Sequence, residues 1–362
     1  MLLRVLKDLI GGWSTPNESD SIRLACECLN RSNYEKAMEI LSALLEREPE
    51  CVEGLILRGT VKRAMGRPQE ALVDLTRAAA LAPNDHRSLY ELAVVSYLLG
   101  DTGLALDYCE RLRRVAPELN ATYKLQSQIR LRGEDYFQIL ARILDFIKPR
   151  TYVEIGIEHG NSIQLVKPPT LAIGIDPNPK LTGPLPDNLR VFSETSDAFF
   201  AGHDLCTELG GRPVDLAFID GMHHFEFALR DFANLERCST RDTTILIHDC
   251  YPLDRETAER DQHHEFWSGD IWRLIVLLKK YRPDLSIHTI GAPPTGLGLV
   301  GNLDPRSSFL LEHYDRLYGE FLSLDYSYLD EDKAGKLNLF PNEWEKISTL
   351  LKVPRRVESA HT

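Results

Sequence analysis

The amino-acid sequence predicts a two-domain α+α/β protein, with an N-terminal helical solenoid followed by a doubly wound, mostly parallel sheet. Two observations carry this prediction. Small residues and prolines recur every 34 residues within the first third of the chain, which is typical of a stacked repeat array. Beyond about residue 134, short apolar segments of strand length alternate with helical patterns, which is typical of a parallel sheet covered by helices.

The composition is that of a folded chain with an acidic balance of charge. The 362 residues exceed what one ordinary core needs, and 43% of them are hydrophobic. A net charge of −12 repels a phosphate backbone, so we expect no nucleic-acid partner. The seven cysteines include no Cys-x-x-Cys pair, which disfavours a disulfide framework or a thiolate zinc site and favours a cytoplasmic location.

The N-terminal residues 1–19 are interpreted as a docked helix and linker. No apolar run in the sequence reaches the ~20 residues of a membrane span. Residues 1–10 are apolar but contain Arg4, Lys7 and Asp8, whereas a signal peptide needs an uninterrupted apolar core. The alternative, a weak membrane-surface anchor, is disfavoured because few basic residues flank the apolar face.

Residues 20–133 contain the repeated marks of the predicted solenoid. A small residue recurs where two helices must pack closely. A proline follows each second helix and helps to end it, because proline has no amide hydrogen to donate. The recurring residues are Ala37, Ala71 and Ala105, and the prolines are Pro49, Pro83 and Pro117.

This period and these marks resemble tetratricopeptide repeats. The resemblance implies three helix pairs, with residues 120–132 as a capping helix, and it departs from the family at Ser21, Leu55 and Leu89, where an aromatic residue is usual. One repeat cannot bury its own apolar face, so stacking supplies the core. The array is expected either to bind a protein partner or support self-association, or to serve as a spacer or lid; the sequence leaves these open.

The second domain is predicted over residues 134–304. An amphipathic helical pattern ending at Pro149 opens it, and seven strand-like segments follow. Sheets of this kind bind ligands at the carboxyl ends of their strands, so we expect the chemistry directly after each strand. The predicted strands are 151–155, 171–175, 189–192, 214–219, 243–247, 285–290 and 296–300.

The first two strands indicate a nucleoside-containing cofactor. Glu154-x-Gly156-x-x-x-Gly160 joins the first strand to the next segment, and a glycine at 156 permits a tight turn and close approach of a ligand. Asp176 follows Gly156 by 20 residues and ends the second strand, where an acidic residue can accept hydrogen bonds from ribose hydroxyls. Without the glycine turn, Asp176 would be interpreted as a cap or loop residue.

Two later strands also run directly into acidic residues. One ends at Asp220, three residues before His223, and another ends in His248-Asp249. If these strands are neighbours, Asp220 and Asp249 lie side by side. Histidine suits proton removal near neutral pH, and two carboxylates suit a magnesium ion. We interpret His248 as an ordinary strand-end histidine and His223 as the candidate base.

Together these motifs resemble class I S-adenosylmethionine-dependent methyltransferases, and among them the small-molecule and sugar O-methyltransferases. The segments 267–272 (WSGDIW) and 296–300 (GLGLV) also resemble that subgroup. The resemblance implies a Rossmann-like sheet with S-adenosylmethionine across its strand ends. Metal-dependent catechol-type relatives have Asn after the second Asp, where this chain has Cys250.

The resemblance also implies roles for individual residues at the strand ends. The implied cofactor-binding residues are Glu154, Gly156 and Gly160 for the methionine part, Asp176 for the ribose, Ser196 and Asp197 for the adenine, and Asp220. The implied catalytic residues are His223, Asp220 and Asp249, of which the two carboxylates are also candidate magnesium ligands.

We therefore predict an S-adenosylmethionine-dependent O-methyltransferase that acts on a sugar, a glycan or another small molecule. The repeats would bind a protein partner or organise an oligomer. Two alternatives remain: a protein methyltransferase whose repeats present the polypeptide, and a cofactor-binding interaction module without turnover. Residues 254–265 are expected to form a solvated loop or a lid near Trp267, residues 305–353 a helical extension, and residues 354–362 a tail.

Overall fold

The computed structural model describes residues 20–182 and 185–353. The chain divides into two compact units between Arg130 and Leu131. The predicted N-terminal helix and the predicted tail lie outside the described residues. Among the helices of the described ranges, none combines the length and the apolar character needed to cross a membrane.

Within residues 20–130, the part of the first unit that the structure describes, the chain forms seven helices, each packed on the next. Several of these helices begin after an Asn or Asp residue, because its side-chain oxygen accepts hydrogen bonds from the free backbone amides of the first turn. Asp85, for example, accepts hydrogen bonds from the backbone amides of Arg87 and Ser88. The helices are α1 Asp20–Asn30, α2 Tyr34–Arg47, α3 Val52–Ala64, α4 Pro68–Leu81, α5 His86–Leu98, α6 Thr102–Val115 and α7 Asn120–Arg130.

The recurring small residues lie at close contacts between these helices. Ala37, Ala71 and Ala105 are completely buried. Gly59 of α3 faces α4 so closely that an added Cβ would lie 2.6 Å from Leu75 Cγ. The predicted tetratricopeptide-like solenoid is thus confirmed as the fold of this part of the chain.

The second unit is built on an eight-stranded sheet in the order β3-β2-β1-β4-β5-β7-β6-β8. The first five strands run parallel, and β7 is antiparallel to both of its neighbours. The predicted mostly parallel α/β fold is therefore confirmed. The strands are β1 Thr151–Ile155, β2 Leu171–Ile175, β3 Leu189–Phe192, β4 Leu216–Ile219, β5 Thr244–His248, β6 Ser286–Ile290, β7 Leu297–Gly301 and β8 Leu339–Phe340.

Helices and apolar clusters cover both faces of the sheet. One cluster contains Phe232 and Trp272, and the other contains Ile143. The α-helices of this unit are α8 Tyr136–Ile147, α9 Ser196–Gly202, α10 Leu205–Glu208, α11 Phe225–Arg237, α12 Trp272–Tyr281, α13 Phe309–Glu312, α14 Tyr314–Leu322, α15 Lys333–Lys336 and α16 Trp344–Ile347. Short 3-10 helices occupy Ile163–Leu165, Glu256–Ala258, Tyr326–Leu329 and Ser348–Leu350.

The segment after residue 304 differs from the predicted helical extension. Its first helix is divided at His313, and β8 joins the sheet beside β6. The backbone amide of Gly291 donates to the Phe340 carbonyl, which extends this pairing. The helical prediction was wrong at β8, because a strand of two residues is too short to show an alternating pattern.

Candidate active site

The parallel strands bring the predicted site residues to one edge of the sheet. In the strand register, Ile155 of β1 pairs with Ile219 of β4, and Ile219 pairs with Ile247 of β5. The chain leaves β4 at Asp220 and β5 after His248. These side chains therefore share the carboxyl edge of neighbouring strands, where open α/β sheets bind their ligands.

A cavity of about 380 Å³ lies at this edge, within the size range of small-molecule sites. It passes over the ends of β1, β2 and β4, and its lining is rich in carboxylates. The lining includes Gly156, Glu158, Asp176, Ser196, Asp197, Asp220, His223, Phe227 and Asp231.

The Asp176 side chain borders the cavity and also holds the turn after β1. One oxygen, Oδ2, accepts hydrogen bonds from the amides of Ile157 and Glu158 at 3.0 and 2.8 Å. The other, Oδ1, accepts from the amide of Asn178 at 2.7 Å. A carboxylate offers about four acceptor positions, so about one remains open toward the cavity.

Gly156 lies in the left-handed region, at φ +86°, where the chain leaves β1. A Cβ at this position would lie 2.1 Å from the carbonyl oxygen of Asp220. The glycine therefore permits the close approach of two backbone segments beneath the cavity. Gly160 has a similar constraint, because its Cβ would lie 2.2 Å from Leu181 Cδ2.

Glu154 lies beneath the cavity rather than in its lining. Its carboxylate is completely buried and accepts hydrogen bonds from Tyr152 Oη at 2.6 Å and Ser162 Oγ at 2.5 Å. Burial raises the pKa of Glu154 to about 8, although both hydrogen bonds favour the ionised form. In this arrangement Glu154 ties β1 to the segment that follows it.

Ser196 and Asp197 begin helix α9, which Thr195 caps through its side chain. The Asp197 carboxylate forms a bidentate ion pair with Arg230 of α11, with both contacts at 2.7 Å. Asp231, the next residue of α11, is buried on the apolar face of its helix. Burial raises the pKa of Asp231 to about 7.

Asp220, His223 and Asp249 form a compact cluster next to the cavity. His223 Nδ1 lies 3.1 Å from Asp249 Oδ2, and His223 Nε2 lies 3.8 Å from Asp220 Oδ1. The Asp249 carboxylate is almost completely buried, whereas the Asp220 carboxylate and the His223 imidazole are partly exposed. The adjacent His224 points elsewhere, with Nε2 at 3.0 Å from the Arg260 carbonyl.

His248 lies between the two carboxylates and is more than an ordinary strand-end residue. Its Nδ1 is 2.9 Å from Asp220 Oδ1 and 3.4 Å from Asp249 Oδ2. Burial opposes a charge on this imidazole, but Asp220 and Asp249 outweigh burial and raise its pKa well above the usual value. The Tyr136 ring packs on the imidazole with 4.0 Å between the ring centroids.

The backbone of Asp249 adopts an unfavourable conformation at this cluster. Its φ of +62° is in the left-handed region, which non-glycine residues rarely adopt and which often marks functional sites. Thr295 Oγ donates to Asp249 Oδ1 at 2.5 Å and so fixes the other oxygen toward the cluster. Burial would raise the pKa of Asp249, but His223 and His248 hold it below the usual value.

The segment before α12 covers His223 from one side. The Trp267 ring stacks on the His223 imidazole with 5.1 Å between centroids, and the Trp267 carbonyl lies 3.3 Å from Nδ1. Arg260 anchors the segment through Glu226 and the buried Asp270, at 2.5 and 2.7 Å. The segment is thus a tethered cover rather than only a solvated loop.

Residues of the site without a counterpart among the sequence-based candidates include Tyr136, Asp231 and Thr295. Tyr136 precedes β1 and Thr295 precedes β7, so no spacing relates them to Asp220. Asp231 offered a signal, because it is an acidic residue on the apolar face of an otherwise amphipathic helix.

Comparison with known proteins identifies two segments of the chain. Residues 153–250 match the family model of a methyltransferase domain, and residues 56–119 match that of a tetratricopeptide repeat. The chain thus combines a methyltransferase domain with tetratricopeptide repeats. A methyltransferase domain of this type generally uses S-adenosylmethionine.

No curated protein matches the chain. Among solved structures, the Yersinia enterocolitica type III secretion translocator chaperone SycD is 18% identical, covering 30% of this chain and 79% of its own, with a TM-score of 0.29. MamA from Desulfovibrio magneticus RS-1 is 24% identical, covering 31% of this chain and 66% of its own, with a TM-score of 0.29. SycD in complex with a peptide of the translocator YopD is 17% identical, covering 32% of this chain and 92% of its own, with a TM-score of 0.28.

Proposed function

We propose that this protein is an S-adenosylmethionine-dependent methyltransferase that methylates a hydroxyl group of a sugar, a glycan or another small molecule. The observation that supports this most is the cluster of Asp220, His223 and Asp249 beside a carboxylate-lined cavity. The match of residues 153–250 to a methyltransferase domain supports the same type of reaction.

The cavity fits a cationic nucleoside cofactor. Its carboxylates attract the sulfonium and ammonium groups, and Asp176 retains an acceptor position for a ribose hydroxyl. Ser196 and Asp197 are the proposed contacts of the adenine, and Gly156 that of the methionine part. Glu154 and Gly160 would support the turn from beneath. When bound, the cofactor supplies a methyl group that is already activated on sulfur, so the protein mainly has to position the acceptor.

The three clustered side chains fit the removal of a proton from a hydroxyl. His223 Nδ1 faces Asp249 and the Trp267 carbonyl, which leaves Nε2 to accept the proton. The ionised Asp249 carboxylate would then stabilise the imidazolium, as an aspartate does beside a catalytic histidine. Asp220 and Asp249 are also candidate magnesium ligands, and a cation held by them would favour loss of the same proton.

The cover over His223 fits an acceptor that presents a flat face. Trp267 stands partly exposed beside the cluster, and Arg260 holds its segment in place. An aromatic ring can pack on the apolar face of a sugar or on another ring, and the cover would keep water from the reacting groups.

We further propose that the repeats bind a protein partner or organise an oligomer, which the match to tetratricopeptide repeats supports. The partner could itself be the methyl acceptor. Incubating the protein with labelled S-adenosylmethionine and panels of sugars, phenols and peptides separates these possibilities. Methylation of peptides alone would contradict the small-molecule proposal.

The first test is calorimetric titration with S-adenosylmethionine and S-adenosylhomocysteine. Asp176→Ala should weaken binding at least ten-fold, a loss of about 1.4 kcal/mol, because it removes the acceptor at the cavity and loosens the turn. Asp187→Ala, at an exposed carboxylate outside the cavity lining, is the matched control. Absence of binding by the unmodified protein would refute the proposed function.

A further inference from the structure

A second cavity lies at the opposite edge of the sheet from the candidate active site. Its volume of about 810 Å³ is within the size range of small-molecule sites. The end of α8, the segment that leads into β2 and one residue before β4 form its walls, so it borders the edge where these parallel strands begin. The charged residues that line this amino-edge cavity are Asp145, Lys148, Arg150, Lys167 and Arg212.

The charged lining is mostly cationic, in a chain whose net charge is −12. Lys148 and Arg212 form no ion pair with any residue in the ranges that the structure describes. Lys167 Nζ donates only to a backbone carbonyl, at 2.9 Å. Arg150 forms a bidentate ion pair with Asp215, with both contacts at 3.0 Å, and keeps the other N–H donors of its guanidinium.

The negative groups at the amino-edge cavity do not balance these cations. Asp145 is the only acidic residue among the described residues of the lining. The carbonyls at the end of α8 add a partial negative charge, equivalent to about half an elementary charge. Since Lys148, Lys167 and Arg212 all lack an ion pair, the cations outnumber the negative groups, and the cavity attracts an anion.

Lys148 occupies a position where the turn itself favours glycine. It ends α8 in the left-handed region, at φ +47°, and its amide donates to the Leu144 carbonyl at 2.9 Å. The following Pro149 restricts its backbone further. A glycine would form this turn with less strain, so the lysine contributes a side chain that the turn does not need. That residue lines the cavity.

The rest of the lining is largely apolar and is held by hydrogen bonding. Thr170 Oγ1 donates to the Pro149 carbonyl at 2.6 Å and so ties the segment before β2 to the end of α8. An apolar surface beside cations suits a ligand that combines an anionic group with an apolar part. The apolar residues of the lining include Leu144, Val166, Pro168 and Pro169.

We propose that the amino-edge cavity binds a soluble phosphate ester whose organic part is apolar. A carboxylate carries one negative charge, whereas a phosphate monoester carries about 1.5 to 2 charges and three strong acceptor oxygens, so it balances these cations better. The phosphate would contact Lys148, Lys167 and Arg212, and the organic part would pack on the leucine, valine and proline side chains. A concave site of this size can enclose a small molecule, whereas a membrane surface is flat.

The experiment is calorimetric titration of the full chain with 1-naphthyl phosphate. We expect saturable binding that weakens as the salt concentration rises, because charge contributes to it. Inorganic phosphate lacks the apolar part and 1-naphthol lacks the charge, so each should bind at least ten-fold more weakly.

The double variant Lys167→Glu/Arg212→Glu should weaken binding of 1-naphthyl phosphate at least ten-fold, because it replaces two cations with anions. Arg306→Glu/Lys346→Glu is the matched control: it makes the same change of charge at exposed positions of the same unit, outside the cavity lining, and should change the affinity less than two-fold. Arg212→Gln is a milder variant, expected to weaken binding at least three-fold. Thermal unfolding of each variant identifies a loss caused by misfolding.

Absence of saturable binding of 1-naphthyl phosphate, or unchanged binding by folded Lys167→Glu/Arg212→Glu, would overturn the inference. Equally tight binding of inorganic phosphate or 1-naphthol would also overturn it. Sedimentation with vesicles that contain phosphatidic acid, without binding of 1-naphthyl phosphate, would assign the cations to a lipid surface instead. The inference is independent of the proposed function, because failure of S-adenosylhomocysteine to bind would leave this result unchanged.

Discussion

Glu154 lies at the end of β1, as its motif predicts, but beneath the cavity and not in its lining. Its position in the turn motif indicates a cofactor contact, yet the carboxylate is enclosed by Tyr152 and Ser162. The sequence contains no spacing that pairs Glu154 with Ser162, because the segment between them turns back instead of continuing the strand. The same holds for the contact of His248 with Asp220, because Asp220 follows a different strand.

Burial of Glu154 predicts a stability that depends on pH. Between the ordinary pKa of 4.5 and the folded-state pKa of about 8, the folded state retains a proton that the unfolded state releases. The free energy of unfolding should therefore fall as pH rises through this range, by roughly 2–4 kcal/mol. Glu154→Gln keeps the shape without the ionisation, so the change in the free energy of unfolding between pH 5 and pH 8.5 should be smaller by this amount, and Asp231 and His248, whose pKa values are also raised, account for a remaining fall.

Glu345→Gln is the matched control, because that side chain is exposed in the same unit. It should unfold with the pH dependence of the unmodified protein. If Glu154→Gln retained the full pH dependence, the ionisation of Glu154 would not be its source.

At the scale of elements, long repeated patterns were predictable and short or unique ones were not. All seven predicted strands form, because each has at least four residues and follows a helix or turn signal. The strand β8 has two residues and escaped detection. The first helix of the predicted extension over residues 305–353 is divided at His313, where the sequence has neither Gly nor Pro.

The packing of α3 on α4 depends on the absence of a side chain at Gly59. An added Cβ would meet the Leu75 side chain at 2.6 Å, inside a fully buried contact. We expect Gly59→Ala to lower the free energy of unfolding by about 1–3 kcal/mol, as overpacked cores do. Urea unfolding followed by circular dichroism measures the change.

Gly103→Ala provides the comparison within the same array. Gly103 is an exposed position of α6, where a Cβ meets only Asp101 Oδ1 at 3.7 Å. Alanine favours a helix over glycine by about 0.5–1 kcal/mol, so this variant should be neutral or stabilised. Equal effects of the two substitutions would show that helix propensity, rather than the contact with Leu75, dominates at Gly59.

At the scale of the whole molecule, the two units have separate apolar cores. The clusters of the first unit draw on residues 22–129, and those of the second begin at Ile139. Regular periodicity made both folds predictable. Positions at the candidate site were predictable only where they directly follow a strand, as at Asp176, Asp220 and Asp249. Tyr136 and Thr295 lie on other segments, which the sequence does not relate to those strands.

Separate cores predict that the second unit binds the cofactor without the repeats. Every residue that lines the carboxylate-rich cavity belongs to the segment from Ile155 to Asp231, inside the unit that begins at Leu131. A chain of residues 131–362 should therefore bind S-adenosylhomocysteine within about three-fold of the full chain, less than 1 kcal/mol. The same fragment with Asp176→Ala is the control for binding at this site. If the fragment is insoluble, or folds but does not bind, the repeat array also stabilises the sheet. If the fragment binds the cofactor normally but uses acceptors differently, the repeats select the substrate or the partner.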